Sequence, residues 1–270
     1  MSIAELAEDR VVEGIYAVRT KRKLRTKSGA PYLALELVDA TGRIEARVWN
    51  DVELLDGRFA EGDAVRVLGR VERFRDRLQL DVRSLEASDV DPASLTPTIR
   101  RDGDELAGFL EFLDAELTHP GLAATVRAVF DDRELAAYPA TPDDHHSYAG
   151  GLLEHTVGVA TLCRETAQLH PRLRQDLLLA AALLHDVGRT VELGRGPAFA
   201  VTDEGRLLGH VHLGTRLIEA RAEGMTAPQL AELVHCVASH HDARGARTAE
   251  AAVLYHANQL DAIAATRRVD

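Results

Sequence analysis

The rhythm of apolar and polar positions changes once along this 270-residue chain, from short β-type runs to helical ones. After a short helical or frayed lead at Ser2–Asp9, Val11–Val18 is apolar and β-rich, and Tyr32, Ala34, Leu35, Leu37 and Val38 form a second run ending in the turn Asp39–Gly42. Ile44, Ala46 and Val48 alternate with Glu45, Arg47 and Trp49, the period of a strand buried on one face. Val52–Phe59 reads as a short helix or loop. Ala64–Val71 is a fourth strand, Asp76-Arg77 a hairpin turn, and Leu78–Leu85 a fifth strand with Leu78, Leu80 and Val82 on one face.

Five strands with the irregular piece between the third and fourth match the order of an OB-fold barrel. The segment from Ser88 to Arg101 holds two prolines and small polar residues without periodicity, and reads as a linker. Helices are predicted after it over Gly103–Leu117, Gly121–Phe130, about Gly150–Leu169, Arg172–His185, Thr202–Ala222, Ala227–His241 and Glu250–Thr266, with a short turn around Glu134–Tyr138. The expected architecture is therefore multidomain, β followed by α: a five-stranded OB-fold barrel over 1–88, a linker over 89–101 and an all-α domain over 102–270.

The formal net charge of -11 argues at first against a nucleic-acid partner, but it is unevenly spread. Val11–Ser88 carries 15 Lys and Arg against 13 Asp and Glu, whereas Asp89–Asp270 carries 16 against 27. The acidity belongs to the helical half, mostly as solvated helix surface and in part as a candidate metal site whose ion would offset it. Two cysteines, Cys163 and Cys236, are too few for a disulfide framework and fit a reducing cytoplasm. The first ten residues lack the basic start and apolar core of a signal peptide. No apolar run approaches the roughly 20 residues of a membrane span, so a cytoplasmic chain with no membrane partner is expected.

Candidate chemistry centres on AALLHDVGRT. The apolar run Leu177–Leu184 predicts a buried helix, and an imidazole and a carboxylate at its end, His185 and Asp186, need a partner. A divalent metal is one, because both groups are ready ligands. Further His and Asp residues recur on the predicted helices: His155 in GGLLEHTVGVA, His210 in GHVHLG, His240 and His241 in VASHHDA, and Asp261 in NQLDAIAA. The order H…HD…H…HH…D, from about Gly150 onward, resembles the HD-domain superfamily of metal-dependent phosphohydrolases. With PDDHHSYAGGLLEHT at Pro142–Thr156 and the barrel in front, the chain is similar to the YhaM-type 3′→5′ exoribonuclease family, in which an OB-fold holds single-stranded nucleic acid and an HD domain cleaves it.

The resemblance implies His155, His185, Asp186 and Asp261 as ligands of a first ion, and His210 with one or both of His240 and His241 at a second. One or two divalent ions are expected, drawn from Mn²⁺, Fe²⁺, Ni²⁺, Co²⁺ and Mg²⁺. Asp186 is the natural bridge, and Arg189, His145 and His146 are expected to supply positive charge or a proton. The family usually has Lys where this chain has Arg189; a guanidinium holds phosphate but is never a proton donor near neutral pH. Adjacent side chains on a helix diverge by about 100°, which sets His240 against His241 as alternatives. His119, His170, His212, His235 and His256 are read as core or surface residues, and Glu154 as a surface one.

The stretch KSGAPYLALELVDATGRIEARVW also resembles OB domains that bind single-stranded or tRNA-type nucleic acid. Arg19, Lys21, Arg22, Lys23, Arg25 and Lys27 are expected in its first loop as phosphate contacts, with Tyr32, Trp49 and Phe74 as stacking residues or core. The leading expectation is an exonuclease on single-stranded RNA or DNA, and the sequence is compatible with a homo-oligomer. Rivals are hydrolysis of a small nucleotide (a cyclic nucleotide, an alarmone or a dNTP) and a sensor that binds nucleotide without turnover.

Overall fold

The computed structural model describes residues 1–96, 98, 101–131 and 133–266. The chain divides into two compact units, the first holding Met1–Thr98. In that unit β1 (Val11–Arg25), β2 (Pro31–Asp39), β3 (Gly42–Val48), β4 (Ala64–Phe74) and β5 (Arg77–Ala87) close into a barrel. The order is β1-β2-β3-β5-β4, antiparallel except for β3 against β5, with α1 (Val52–Asp56) between β3 and β4. Alternation decides the inside: Leu33, Leu35 and Leu37 of β2 are buried with Val65, Val67 and Leu80.

The basic run expected as a loop is instead the second half of β1. β1 pairs with β4 over Val11–Ala17 and with β2 over Ala17–Arg25, and a bulge between Val18 and Thr20 lets one strand serve both neighbours. Backbone pairing holds the strand although its side chains carry no apolar alternation. The β4–β5 turn falls on Arg75-Asp76, one residue earlier than expected, with both residues left-handed (φ 49° and 63°) as a two-residue hairpin turn requires. The expected linker holds a 3-10 turn at Pro92–Leu95.

The helical unit contains α2 (Gly103–Ala115), α3 (Pro120–Phe130), α4 (Gly151–Leu169), α5 (Gln175–Leu184), α6 (Arg189–Glu192), α7 (Asp203–Arg221), α8 (Ala227–Ala238) and α9 (Ala249–Thr266). Asp102 caps α2 by accepting from the amides of Asp104 and Glu105, and Thr226 with Gln229 forms a capping box on α8. Leu177–Leu184 of α5 are all buried, and α5 packs against α3, α4, α8 and α9. A helix apolar all round belongs at the centre of a bundle, and this one delivers whatever follows Leu184 to the interior. Four features depart from the sequence expectation: α5 begins at Gln175 rather than Arg172, α6 has no counterpart among the predicted helices, α8 ends at Ala238 rather than His241, and α7 is broken at Gly209 (φ 70°, ψ 157°). No described helix is long and apolar enough to cross a membrane.

Cys163 on α4 and Cys236 on α8 are free and fully buried. Burial raises the Cys163 thiol well above its ordinary range and pushes Cys236 up to about 11. Neither is expected to react with a thiol reagent at pH 8 in the folded chain, and both are expected to react in denaturant; rapid labelling of native protein would contradict this placement.

Candidate metal centre and nucleic-acid face

His185 and Asp186 follow directly on α5, so the most apolar helix of the unit carries them into the interior. His155 faces them from α4, whose first residues follow Gly150 in a left-handed conformation (φ 85°). His210 begins the second segment of α7 after the Gly209 break. His240 and His241 lie beyond the end of α8, where the chain no longer follows helical geometry, and both reach the cluster instead of diverging.

The Asp186 carboxylate divides these imidazoles into two groups. On one side its Oδ2 is 3.8 Å from Nε2 of both His155 and His185, which are themselves 3.2 Å apart. On the other its Oδ1 is 3.3 Å from Nε2 of His210 and of His240, with His241 Nε2 3.1 Å from His210 Nε2. His155, His185 and His240 are fully buried and Asp186 is 2% exposed. Nδ1 of His185 sits 2.8 Å from the Ala182 carbonyl and Nδ1 of His240 2.6 Å from that of Val237. A carbonyl only accepts, so each Nδ1 carries the proton and each Nε2 turns a lone pair inward.

Several lone pairs facing one carboxylate is an unfavourable arrangement without a cation. Asp186 Oδ1 and His240 Nε2 are buried with no hydrogen-bond partner. Burial holds the His185 imidazole neutral, its pKa pushed down to about 3. Burial alone would raise Asp186, but the Arg189 guanidinium beside it holds it well below the usual carboxylate range. Neutral imidazoles, an ionised carboxylate and orphaned inward atoms are the donor set of a divalent ion.

Asp261 meets His155 at the outer nitrogen of its ring. Its Oδ2 lies 2.7 Å from Nδ1 of His155 and 3.0 Å from Nε2 of His146, on the side of the His155 ring away from His185 and Asp186. Burial would raise its pKa, and hydrogen bonds from His146 and His155 hold it well below the carboxylate range. With His146 and His155 it forms a further group of ligand atoms close enough together to hold a metal ion. α9 approaches this closely because Gly158 has no Cβ, which would overlap Asp261 Oδ1. His146 is in turn 2.8 Å from Tyr148 Oη, which donates to Glu154 Oε2 at 2.5 Å. Glu154 is thus part of the network rather than a surface residue, and Tyr148 is a member that sequence reasoning missed. His145 lies beside His155, with ring centroids 5.0 Å apart; its Nδ1 makes no hydrogen bond and lies 3.7 Å from Asp144 Oδ2, and burial, with the neighbouring imidazoles of His155 and His146, lowers its pKa.

Residues 152–263 match the HD domain family, and residues 17–87 match the tRNA_anti-codon family, described as an OB-fold nucleic acid binding domain. The 3′-5′ exoribonuclease YhaM of Oceanobacillus iheyensis is 31% identical over 240 residues, covering 85% of this chain and 75% of that one. The YhaM proteins of a Geobacillus species and of Bacillus subtilis are 30% and 28% identical, covering 91% and 93% of this chain and 80% and 84% of theirs. The chain belongs to the YhaM exoribonuclease family. It is accordingly an enzyme, and its HD domain implies dependence on a divalent metal.

On the OB unit of this YhaM-family chain the basic run splits in two. Arg19 sits at the β1 bulge, 5% exposed and 3.8 Å from Glu36. Lys21 donates to the carbonyls of Asp56 (2.5 Å) and Phe59 (2.6 Å), and Lys23 pairs with Glu53 (2.5 Å) and Asp56 (3.3 Å). Arg19 and Lys21 are turned into the fold, and Lys21 and Lys23 fasten α1 and the residues after it to β1, with Lys23 still exposed. Arg22, Arg25 and Lys27 are exposed. Register places Arg22 beside Ala34 and Ala34 beside Arg47, with Leu24 beside Tyr32 one step along the same face. Tyr32 stacks on Trp49 at 4.9 Å between centroids, and Trp49 is 47% exposed. Phe74, 55% exposed, carries the Arg75 guanidinium over its ring. Trp49 and Phe74 are not core residues.

Proposed function

We propose that this chain is a divalent-metal-dependent 3′→5′ exonuclease of single-stranded RNA. The observation that carries the reading is the Asp186 carboxylate with a group of inward-facing imidazoles on each of its oxygens. His155, His185 and Asp186 would hold one ion, and Asp186, His210, His240 and His241 a second. When bound, such ions supply Lewis-acid charge to the phosphate and lower the pKa of water from about 15.7 towards neutrality. Asp261 and His146 hold the His155 ring, so His146, engaged through both ring nitrogens, positions rather than donates. His145 meets substrate as a neutral imidazole with a nitrogen to spare. Arg189, beside Asp186, offers the planar fork that binds phosphate oxygens.

The OB unit would hold the strand through Tyr32 and Trp49 as a stacking platform with Arg22, Arg25 and Lys27 beside it. A base-aromatic stack is worth about 1–3 kcal/mol, so Trp49→Ala is expected to weaken oligonucleotide binding about 5- to 150-fold. Replacing Arg22, Arg25 and Lys27 by Ala is expected to flatten the salt dependence by about 0.7 in log–log slope for each phosphate that these side chains neutralise.

The deciding experiment is digestion of a 5′-labelled single-stranded RNA with added Mn²⁺. A ladder shortening from the 3′ end, abolished by a chelator, is expected. Inert RNA beside rapid turnover of a cyclic nucleotide, an alarmone or a dNTP would replace this reading with a small-nucleotide hydrolase.

A further inference from the structure

We infer that Glu192, outside the ligand set, is the positioning residue that ties the Arg189 guanidinium to the second imidazole group; this rests on the exonuclease reading. The Gly209 break starts a new helical segment at His210, and the His210 amide is met by an acceptor from outside its own helix. Glu192 supplies the acceptor: its Oε1 takes the His210 N–H at 3.2 Å and lies 3.5 Å from His210 Nδ1. Its Oε2 accepts from Arg189 Nη1 at 2.5 Å. One carboxylate, 12% exposed, therefore caps a helix start, faces the outer nitrogen of a candidate ligand and anchors the phosphate fork.

The backbone around Glu192 is built to keep it there. Its carbonyl accepts from Thr202 N at 2.9 Å, the Thr202 hydroxyl donates to Val191 O at 3.0 Å, and Leu193 forms a β-bridge with Val201. The first turn of α7 presses on it: a Cβ on Gly205 would come within 2.8 Å of Glu192 Cα and 2.9 Å of its Cγ.

The anchor suits an arginine. With Nη1 committed to Glu192, Nε still stands 3.8 Å from Asp186 Oδ2 without a hydrogen bond, so the fork has donors left for substrate phosphate. A lysine has a single nitrogen and must divide it between Glu192 and phosphate. Glu192 and Arg189 are thus expected to act as a unit in substrate binding, while the hold of Glu192 on His210 is independent of the side chain at position 189.

The test uses the full chain with Glu192→Gln, Arg189→Lys and the double variant, reading calorimetric titration with Mn²⁺ alone, KM and kcat on single-stranded RNA, and melting temperature. Glu192→Gln is expected to weaken the weaker Mn²⁺ event about 10-fold, the usual effect of losing a partner behind a ligand. Made in the wild-type chain, Glu192→Gln should raise KM several-fold; made on top of Arg189→Lys, it should raise KM less than about two-fold, with kcat moving less than KM in both. Unchanged Mn²⁺ binding, or KM effects that simply multiply in the double variant, would overturn the inference. Should Glu192→Gln not fold, Glu192→Asp keeps the charge one methylene short and should weaken the Mn²⁺ event or raise KM; a wild-type profile would overturn the inference equally. If wild type leaves RNA intact, the exonuclease reading falls, while the Mn²⁺ titration still decides the role of Glu192.

Discussion

Asp186→Ala is expected to abolish RNA cleavage, with kcat/KM falling at least about 10³-fold, which corresponds to about 4 kcal/mol of transition-state stabilisation. Among the described residues no other side chain has an oxygen facing each imidazole group, Oδ2 towards His155 and His185 and Oδ1 towards His210 and His240. Its removal leaves both groups without their shared anion. The loss should be visible without turnover. A ligand present at about 100 times its Kd stabilises the folded state by about 2.7 kcal/mol, so Mn²⁺ should raise the melting temperature of wild type and leave Asp186→Ala nearly unmoved. A variant that melts like wild type with and without Mn²⁺, and still shortens RNA, would remove the proposed centre.

Much of this centre is legible in the sequence because buried helices constrain their residues strongly. Leu177–Leu184 has no polar face, so its position in the bundle, and with it that of His185 and Asp186, follows from the run alone. The third strand is legible from alternation for the same reason, since Ile44, Ala46 and Val48 have one direction to point. The basic stretch escapes this logic because alternation is a burial signal. Arg22 and Leu24 are both exposed, and backbone pairing to β2 makes the strand without leaving a mark on the side chains.

The side of a ring that a carboxylate takes is not a sequence property. The family resemblance implies Asp261 as a partner of His155, and the approach of α9 to α4 at Gly158 decides that it meets Nδ1. The end of α8 at Ala238 likewise decides that His240, buried, and His241, exposed, both reach the cluster. Glu192 does have a signal: Asp186, Arg189 and Glu192 recur every third residue, the spacing of neighbours along one side of a helical turn.

Gly188→Ala is expected to cost about 10²-fold in activity, through packing alone. Gly188 has ordinary helical angles (φ -61°, ψ -18°), so alanine would be at ease in its backbone conformation. What forbids it is the approach of α7: an added Cβ would overlap the His210 carbonyl oxygen and stand 2.6 Å from Gly214 N. These are backbone atoms and have no rotamer by which to withdraw. Overpacking of this kind costs about 1–3 kcal/mol or more, and relief requires the turn carrying Asp186 and Arg189 to move off the segment carrying His210. A displacement near 1 Å at a reacting centre costs about 10²-fold in rate, which sets the expected fall in kcat/KM. Gly108→Ala on α2, where an added Cβ meets nothing within 4 Å, is expected instead to stabilise the chain by about 0.5–1 kcal/mol with activity unchanged. Melting curves and RNA turnover of the two variants separate the cases: an active, wild-type-like Gly188→Ala would show that the turn and α7 do not need this contact to hold the two imidazole groups together.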